Sequence, residues 1–210
     1  MNTPSHYTSR FLKISSRIRL SAVLVVMFIV GCSSASTALT YYVLHSVDEP
    51  LAKPSKEYTY LKLDRFVMPE YLKQRGLVYQ TSETNVHIST THLWAEPLDV
   101  GLKKSLKKAI SNYGVYLVDD EQYHASKTIH VALHITDFIS RFDGEVLLSG
   151  EFVVLGSASP PDHKANWIIP FDIRVALQHD GFSASIEAMR ESLMQLASQI
   201  ADNIKVTEKE

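Results

Sequence analysis

Cysteine is nearly absent from this chain: Cys32 is the only one among 210 residues, so no disulfide can form within the chain. The eight glycines are scattered, and the sequence has no glycine-rich phosphate loop, no G-x-S-x-G nucleophile elbow and no H-E-x-x-H zinc motif. No apolar run reaches the roughly 20 residues that a membrane-spanning helix needs. We therefore expect a protein that is not an enzyme, has no catalytic residues and carries no cofactor.

Charge is unevenly distributed along the chain. Residues 1–31 contain four basic residues and no acidic residue, whereas the remainder carries a formal charge of -6. A net acidic body lacks the basic surface that nucleic acids require, which argues against a nucleic-acid partner. The overall composition, with 45% hydrophobic and 21% charged residues, is that of a globular protein.

The N-terminal segment has the features of a lipoprotein signal peptide. A basic stretch ends at Arg19, an 11-residue apolar run spans 20–30, and the sequence Ile-Val-Gly leads to Cys32. This string resembles the bacterial lipobox. The resemblance implies a signal peptide over 1–31, cleavage between Gly31 and Cys32, and diacylglycerol on the Cys32 thiol with a further acyl group on its amine.

Several acyl chains on one residue would give firm membrane attachment, and lipidation would also consume the lone thiol. Ser33 follows the cysteine, where aspartate commonly retains lipoproteins in the inner membrane. By resemblance to that sorting rule, we expect lipid anchorage on the periplasmic face of the outer membrane. Residues 32–39 then form a short lipidated tether, and 40–206 form the folded domain.

The mature chain predicts an α/β fold. Alternating or β-branched stretches predict strands over 40–45, 58–67, 77–81, 85–90, 115–118, 128–138, 145–155 and 168–178. Apolar residues spaced by three and four predict two main helices, over 98–110 and 186–204. Consecutive hairpins with two amphipathic helices predict a single domain, in which a mixed, mainly antiparallel sheet is covered by the helices.

Two features suggest a surface for a partner. The first predicted helix carries four lysines opposite its apolar face: Lys103, Lys104, Lys107 and Lys108. This lysine face is either a docking site for an acidic partner or lipid headgroups, or the ordinary solvated side of an amphipathic helix. Trp94 just precedes the helix, and it is either a core residue or an interface anchor.

The histidine pair His130 and His134 does not predict a metal site. A four-residue spacing brings two imidazoles together on a helix, but this segment alternates with the period of a strand. On a strand the two residues lie about 13 Å apart, too far to share one ion. We therefore expect no metal site.

Seven strings, in order along nearly all of 41–205, resemble the ABC-type transport auxiliary lipoprotein family. They are Met68–Leu72 (MPEYL), Gly76–Ser82 (GLVYQTS), Leu93–Asp99 (LWAEPLD), Thr136–Phe138 (TDF), Arg141–Gly144 (RFDG), Leu148–Phe152 (LSGEF) and Leu196–Ala201 (LASQIA). The lipobox belongs to the same resemblance.

The resemblance implies a non-enzymatic outer-membrane lipoprotein in an intermembrane lipid transport system that supports membrane integrity. Its expected partners are a periplasmic tunnel protein with MCE (mammalian cell entry) domains and an inner-membrane component. A ring-shaped homo-oligomer would suit a ring-shaped tunnel. An alternative function stays open at this point, a structural or assembly lipoprotein of the envelope that does not itself handle lipid.

Overall fold

The structure is a computed structural model that describes residues 37–45, 59–118, 128–155 and 165–207. The predicted signal peptide, the cleavage position at Gly31 and the lipidation site Cys32 lie outside these residues. Within them the chain forms eight strands, two α-helices and one 3₁₀ turn (Glu70–Lys73). The strands are β1 (Thr40–Tyr42), β2 (Thr59–Val67), β3 (Gly76–Gln80), β4 (Val86–Trp94), β5 (Val115–Val118), β6 (Thr128–Ser140), β7 (Glu145–Leu155) and β8 (Ala165–Ala176), and the helices are α1 (Leu98–Ser111) and α2 (Phe182–Thr207).

The described strands make one mixed sheet in the order β1-β4-β3-β6-β2-β5, and β7 and β8 continue from β6 on a branch of their own. The long pairings are antiparallel and join β6 to β7 and β7 to β8. Parallel pairings join β1 to β4, β3 to β6, and β2 to both β5 and β6. The predicted mixed sheet with two covering helices is confirmed.

Consecutive strands form hairpins, as the sequence pattern predicts. β3 pairs with β4, and β6 with β7 through a turn in which the Arg141 amide donates to the Glu145 carbonyl over 2.7 Å. Gly144 has a φ of 84° in this turn, a conformation that glycine adopts without steric cost. A bulge at Thr136 in β6 lies opposite Gly150, where an added Cβ would come within 2.1 Å of the His134 carbonyl oxygen. Glycine is therefore required at position 150.

The core lies between one face of the sheet and the two helices. Alternate residues of β6, β7 and β8 point into it, and several of them are completely buried. The face of α2 that the sequence pattern selects is buried at every position: Ile186, Met189, Leu193, Leu196, Ala197, Ile200 and Ile204. At 1.5 Å per residue, the 26 residues of α2 span about 39 Å, which is long enough to cross the sheet.

Most element boundaries differ from the predicted ones by one to four residues, and three of these differences have a clear structural setting. β1 ends at Tyr42 because the chain then turns to lie against α2, where Arg190 binds its carbonyl groups. β4 continues to Trp94, since its last residues pair with β1. α2 begins at Phe182, four residues before the first position of the apolar pattern.

Candidate interaction surfaces

The lysine face of α1 packs its side chains against neighbouring aromatic rings. The Lys103 ammonium lies 5.3 Å from the centre of the Phe66 ring on β2, and that of Lys107 lies 5.5 Å from the Tyr116 ring on β5. Such cation–π contacts contribute about 0.5–1 kcal/mol at exposed sites. Both side chains therefore lie over the sheet edge in defined positions, and their charges remain near the surface.

Lys104 pairs with Glu96 in the loop before α1. The other carboxylate oxygen of Glu96 lies 2.9 Å from His45 Nδ1. The two atoms are at ion-pair distance, but their geometry does not form a hydrogen bond. Part of the lysine charge is thus matched within the chain. The fourth member of the face, Lys108, lines the groove between the two helices.

Trp94 is a core residue. It is only 4% exposed and belongs to the same buried cluster as Leu98 and Leu102 of α1. Its backbone amide donates to the Arg75 carbonyl over 2.8 Å, which holds the end of β4 in the sheet. The expectation that Trp94 anchors an interface is therefore wrong, because its side chain is covered by the protein's own fold.

A groove of about 240 Å³ runs between α1 and α2. Its walls are both apolar and polar: Leu44, Ser105, Lys108, Ala109, Asn112, Arg190, Leu193 and Met194. The Arg190 guanidinium lies in this wall, where Nε donates to the Leu44 carbonyl over 2.7 Å and Nη2 to the Val43 carbonyl over 2.9 Å. Arg190 thus ties the wall of the groove to the segment that follows β1.

The other face of the sheet carries pairs of histidine and carboxylate. His130 Nδ1 lies 2.8 Å from Asp64 Oδ2 on β2, and His134 Nδ1 lies 3.1 Å from Glu151 Oε1, its direct cross-strand partner on β7. Each imidazole thus has its own carboxylate on a different neighbouring strand. Among the described residues, no group of three or more His, Cys, Asp and Glu side chains is placed to hold a metal ion.

A second polar network on this side centres on Asp137. One of its carboxylate oxygens accepts a hydrogen bond from the Tyr71 hydroxyl over 3.1 Å, and the other accepts one from Ser149 over 2.8 Å. Burial of the phenol, followed by the charge of Asp137, raises the pKa of Tyr71 well above its ordinary value. Tyr71 is therefore a neutral donor at any physiological pH, and this network ties the 3₁₀ turn to β6.

An aromatic cluster surrounds the start of α2, and the sequence pattern did not indicate it. Phe182 stacks on His92 at 4.0 Å and meets Tyr79 edge-on at 5.5 Å, while the Tyr42 hydroxyl lies 3.0 Å from His92 Nδ1. These residues come from four elements, β1, β3, β4 and α2, and Phe182 is about 90 residues or more from the other three along the chain. The available sequence signal was the aromatic residue directly after Asp180-Gly181, at the helix start.

Neither helix in the described part of the chain combines the length and the apolar character that crossing a membrane requires. The eight strands and two helices of the described residues form one mixed α/β domain.

Comparison with known proteins assigns this domain to a family. The profile described as "ABC-type transport auxiliary lipoprotein component" matches residues 42–201. The chain belongs to this family of transport-associated lipoproteins, as its sequence motifs indicated. The match begins at the end of β1 and stops within α2, so it spans the fold described here.

Individual relatives agree with the family. The chain is 29% identical over 186 residues to the intermembrane transport lipoprotein PqiC of Escherichia coli, a match that covers 87% of this chain and 95% of PqiC. PqiC of Shigella flexneri matches to the same extent.

Two crystal structures have a similar fold. One, of an uncharacterised protein, has a TM-score of 0.65 and 27% identity over 80% of this chain and 99% of its own. The other, of a Xanthomonas campestris protein, has a TM-score of 0.57 and 13% identity over 82% of this chain and 95% of its own, and it supports the fold alone.

Proposed function

We propose that this protein is an outer-membrane lipoprotein of an MCE-type (Pqi) intermembrane lipid transport system. It docks the periplasmic tunnel protein at the outer membrane and so supports membrane integrity. The observation that carries the proposal is the similarity to PqiC along 87% of the chain, together with a lipobox that ends seven residues before Leu39. A lipid anchor holds such a domain at one membrane, and its exposed surfaces remain available to a partner.

The first test concerns the anchor. Cys32→Ala removes the thiol that would carry diacylglycerol, so incorporation of radiolabelled palmitate should disappear and the protein should leave the membrane fraction. Ser33→Ala keeps the thiol and serves as the matched control. Labelling of the Cys32→Ala chain at the control level would overturn the lipoprotein assignment.

The expected partner is a PqiB-like MCE-domain tunnel protein, with a PqiA-like inner-membrane component in the same system. We assign its docking to the lysine face of α1. The contacts of Lys103 and Lys107 with Phe66 and Tyr116 reduce the conformational entropy that these long side chains would lose on binding. Complementary charge steers association and sets its orientation more than it adds affinity, so the partner surface is expected to be acidic.

Photocrosslinking in cells tests this assignment. A photoreactive residue at position 103 or 107 should capture the tunnel protein, whereas one at Ile168, which is exposed on β8, should not. Lys103→Gln combined with Lys107→Gln should reduce co-purification of the partner and make the remainder less sensitive to salt. Capture from position 168 alone would move the docking surface to the other side of the sheet.

Two further outcomes define what the protein does at the membrane. Phospholipid bound to the purified, unlipidated mature chain would identify a conduit, while its absence would identify a passive dock. If no surface position captures a tunnel protein, the alternative of a structural or assembly lipoprotein replaces the proposal. Native mass spectrometry of the mature chain tests the proposed homo-oligomeric ring.

A further inference from the structure

An exposed apolar patch lies where the chain enters the fold. Leu39 and Tyr41 of the β1 segment and Val86 and Ile88 of β4 have exposed side chains, with Tyr41 49% and Ile88 40% accessible. The Arg75 guanidinium lies over the Tyr41 ring, 5.5 Å from its centre. We call these five residues the β1–β4 patch.

The patch is continuous across three strands. Tyr41 on β1 is in register with Leu93 on β4, which in turn is in register with Gly76 on β3, directly after Arg75. The Ile88 side chain lies over the Gly76 backbone, because a Cβ added there would come within 2.8 Å of Ile88 Cγ2. Tyr41, Arg75 and Ile88 are therefore neighbours on the surface.

The direction of β1 relates the patch to the anchor. Because β1 is parallel to β4, its N-terminal end points the same way as the β3–β4 turn, beside which Val86 and Ile88 lie. From Leu39 back to Cys32 is seven residues, which span at most about 25 Å when fully extended. An anchor at Cys32 would keep this end of the sheet near the lipid surface.

We infer that the β1–β4 patch contacts the lipid surface of the membrane and orients the anchored domain on it. The chemistry fits an interface: tyrosine prefers the headgroup level, aliphatic side chains enter the acyl boundary, and arginine binds lipid phosphates. The patch has one cation and no acidic residue, whereas the chain after residue 31 has a formal charge of -6.

A second copy is a poorer occupant, because β1 has only three residues and short edge strands resist edge-to-edge pairing.

This inference rests on the proposed lipoprotein function, and its test uses the lipidated mature chain on vesicles of phosphatidylethanolamine and phosphatidylglycerol. Lipidation consumes Cys32, so an introduced cysteine is the only free thiol. Ile88→Cys and Ile168→Cys form a matched pair, since both replace exposed isoleucines of the sheet. Each is labelled with a fluorophore and exposed to lipids that carry a quencher in the acyl region.

The label at position 88 should be quenched and its emission shifted to the blue, whereas the label at 168 should remain in water. Tyr41→Ser combined with Ile88→Ser should raise the rate of transfer between vesicles about tenfold, and Ile168→Ser should not change it. Equal quenching at both positions, or crosslinks between two copies through position 88, would overturn the inference. If the mature chain purified from the membrane fraction carries no acyl group on Cys32, the lipoprotein assignment itself is refuted.

Discussion

Arg190 is the side chain that joins the end of β1 to α2, and its replacement by methionine tests how the fold holds its N-terminal strand. Its guanidinium donates to the carbonyl groups of Leu44 and Val43 over 2.7 and 2.9 Å, and to that of His45 over 3.5 Å. Arg190→Met keeps the apolar stem of the side chain and removes all of these donors. The carbonyl groups then lose their partners beside Leu44, whose side chain is fully buried.

The magnitude follows from the two short hydrogen bonds. A hydrogen bond from a charged donor contributes about 1.5–3 kcal/mol, and a buried acceptor left without a partner costs a similar amount. Water can reach part of this site through the groove between the helices, which lowers the cost. We therefore expect Arg190→Met to reduce the free energy of unfolding by about 3 kcal/mol, or Tm by about 6–12 °C for a domain of this size.

Urea denaturation of the mature chain carrying Cys32→Ser measures the effect. With an m value of about 2 kcal/mol/M, the midpoint should fall by about 1.5 M. Arg174→Met is the matched control, because Arg174 and its partner Asp172 are exposed on β8 and such pairs contribute little. Arg190→Lys should lie between the two, since an ammonium cannot reach both carbonyl groups as a planar fork does. A midpoint for Arg190→Met no lower than that of the Arg174 control would refute this account of β1.

Three further changes test other parts of the structure. Gly150→Ala places a methyl group 2.1 Å from the His134 carbonyl oxygen at a φ of 154°. Thermal melting should therefore show a far larger fall in Tm than for Gly181→Ala, where φ is also positive but the space is open. Equal falls in Tm would contradict the bulge geometry. Trp94→Ala should cost about 3–5 kcal/mol of unfolding free energy in urea, and an unchanged midpoint would contradict its place in the core. The pKa of Tyr71 is raised in the folded state, so its contribution to stability is fully present below the ordinary phenol pKa of about 10 and is lost as pH rises beyond that value. Tyr71→Phe should therefore weaken the decline of the urea midpoint at alkaline pH. An identical decline in both chains would count against a raised pKa at Tyr71.

Local patterns in the sequence predicted most of the elements. Alternation along the first part of β6 and the three-and-four spacing along α2 arise because each element buries one face. The structure buries Val131, Leu133 and Ile135 of β6 and the predicted face of α2. The hairpin turn at Asp143-Gly144 was also predictable, since glycine there adopts a positive φ. The lysine face could be named in advance, but its contacts with Phe66 and Tyr116 depend on how α1 lies across β2 and β5.

The pairing partners of the strands could not be read from the same patterns. Alternation identifies a strand but not its neighbour, and the parallel contacts of β2 with β5 and β6 join segments more than 50 residues apart. The aromatic cluster around Phe182 is likewise assembled from residues that are distant along the chain. The interface hypothesis for Trp94 failed for the same reason, because burial of a tryptophan depends on what packs over it.

The sequence by itself determined the family, the alternating faces and the basic side of α1, because each of these depends on residues close together along the chain or on their order. Only the tertiary structure decided which surfaces remain open. Parallel pairing of β1 with β4 brings Tyr41 beside Arg75 and Ile88, and packing of α1 on the sheet buries Trp94 and leaves the lysines outside. Non-local packing sets both outcomes, because a side chain's exposure depends on its neighbours in space.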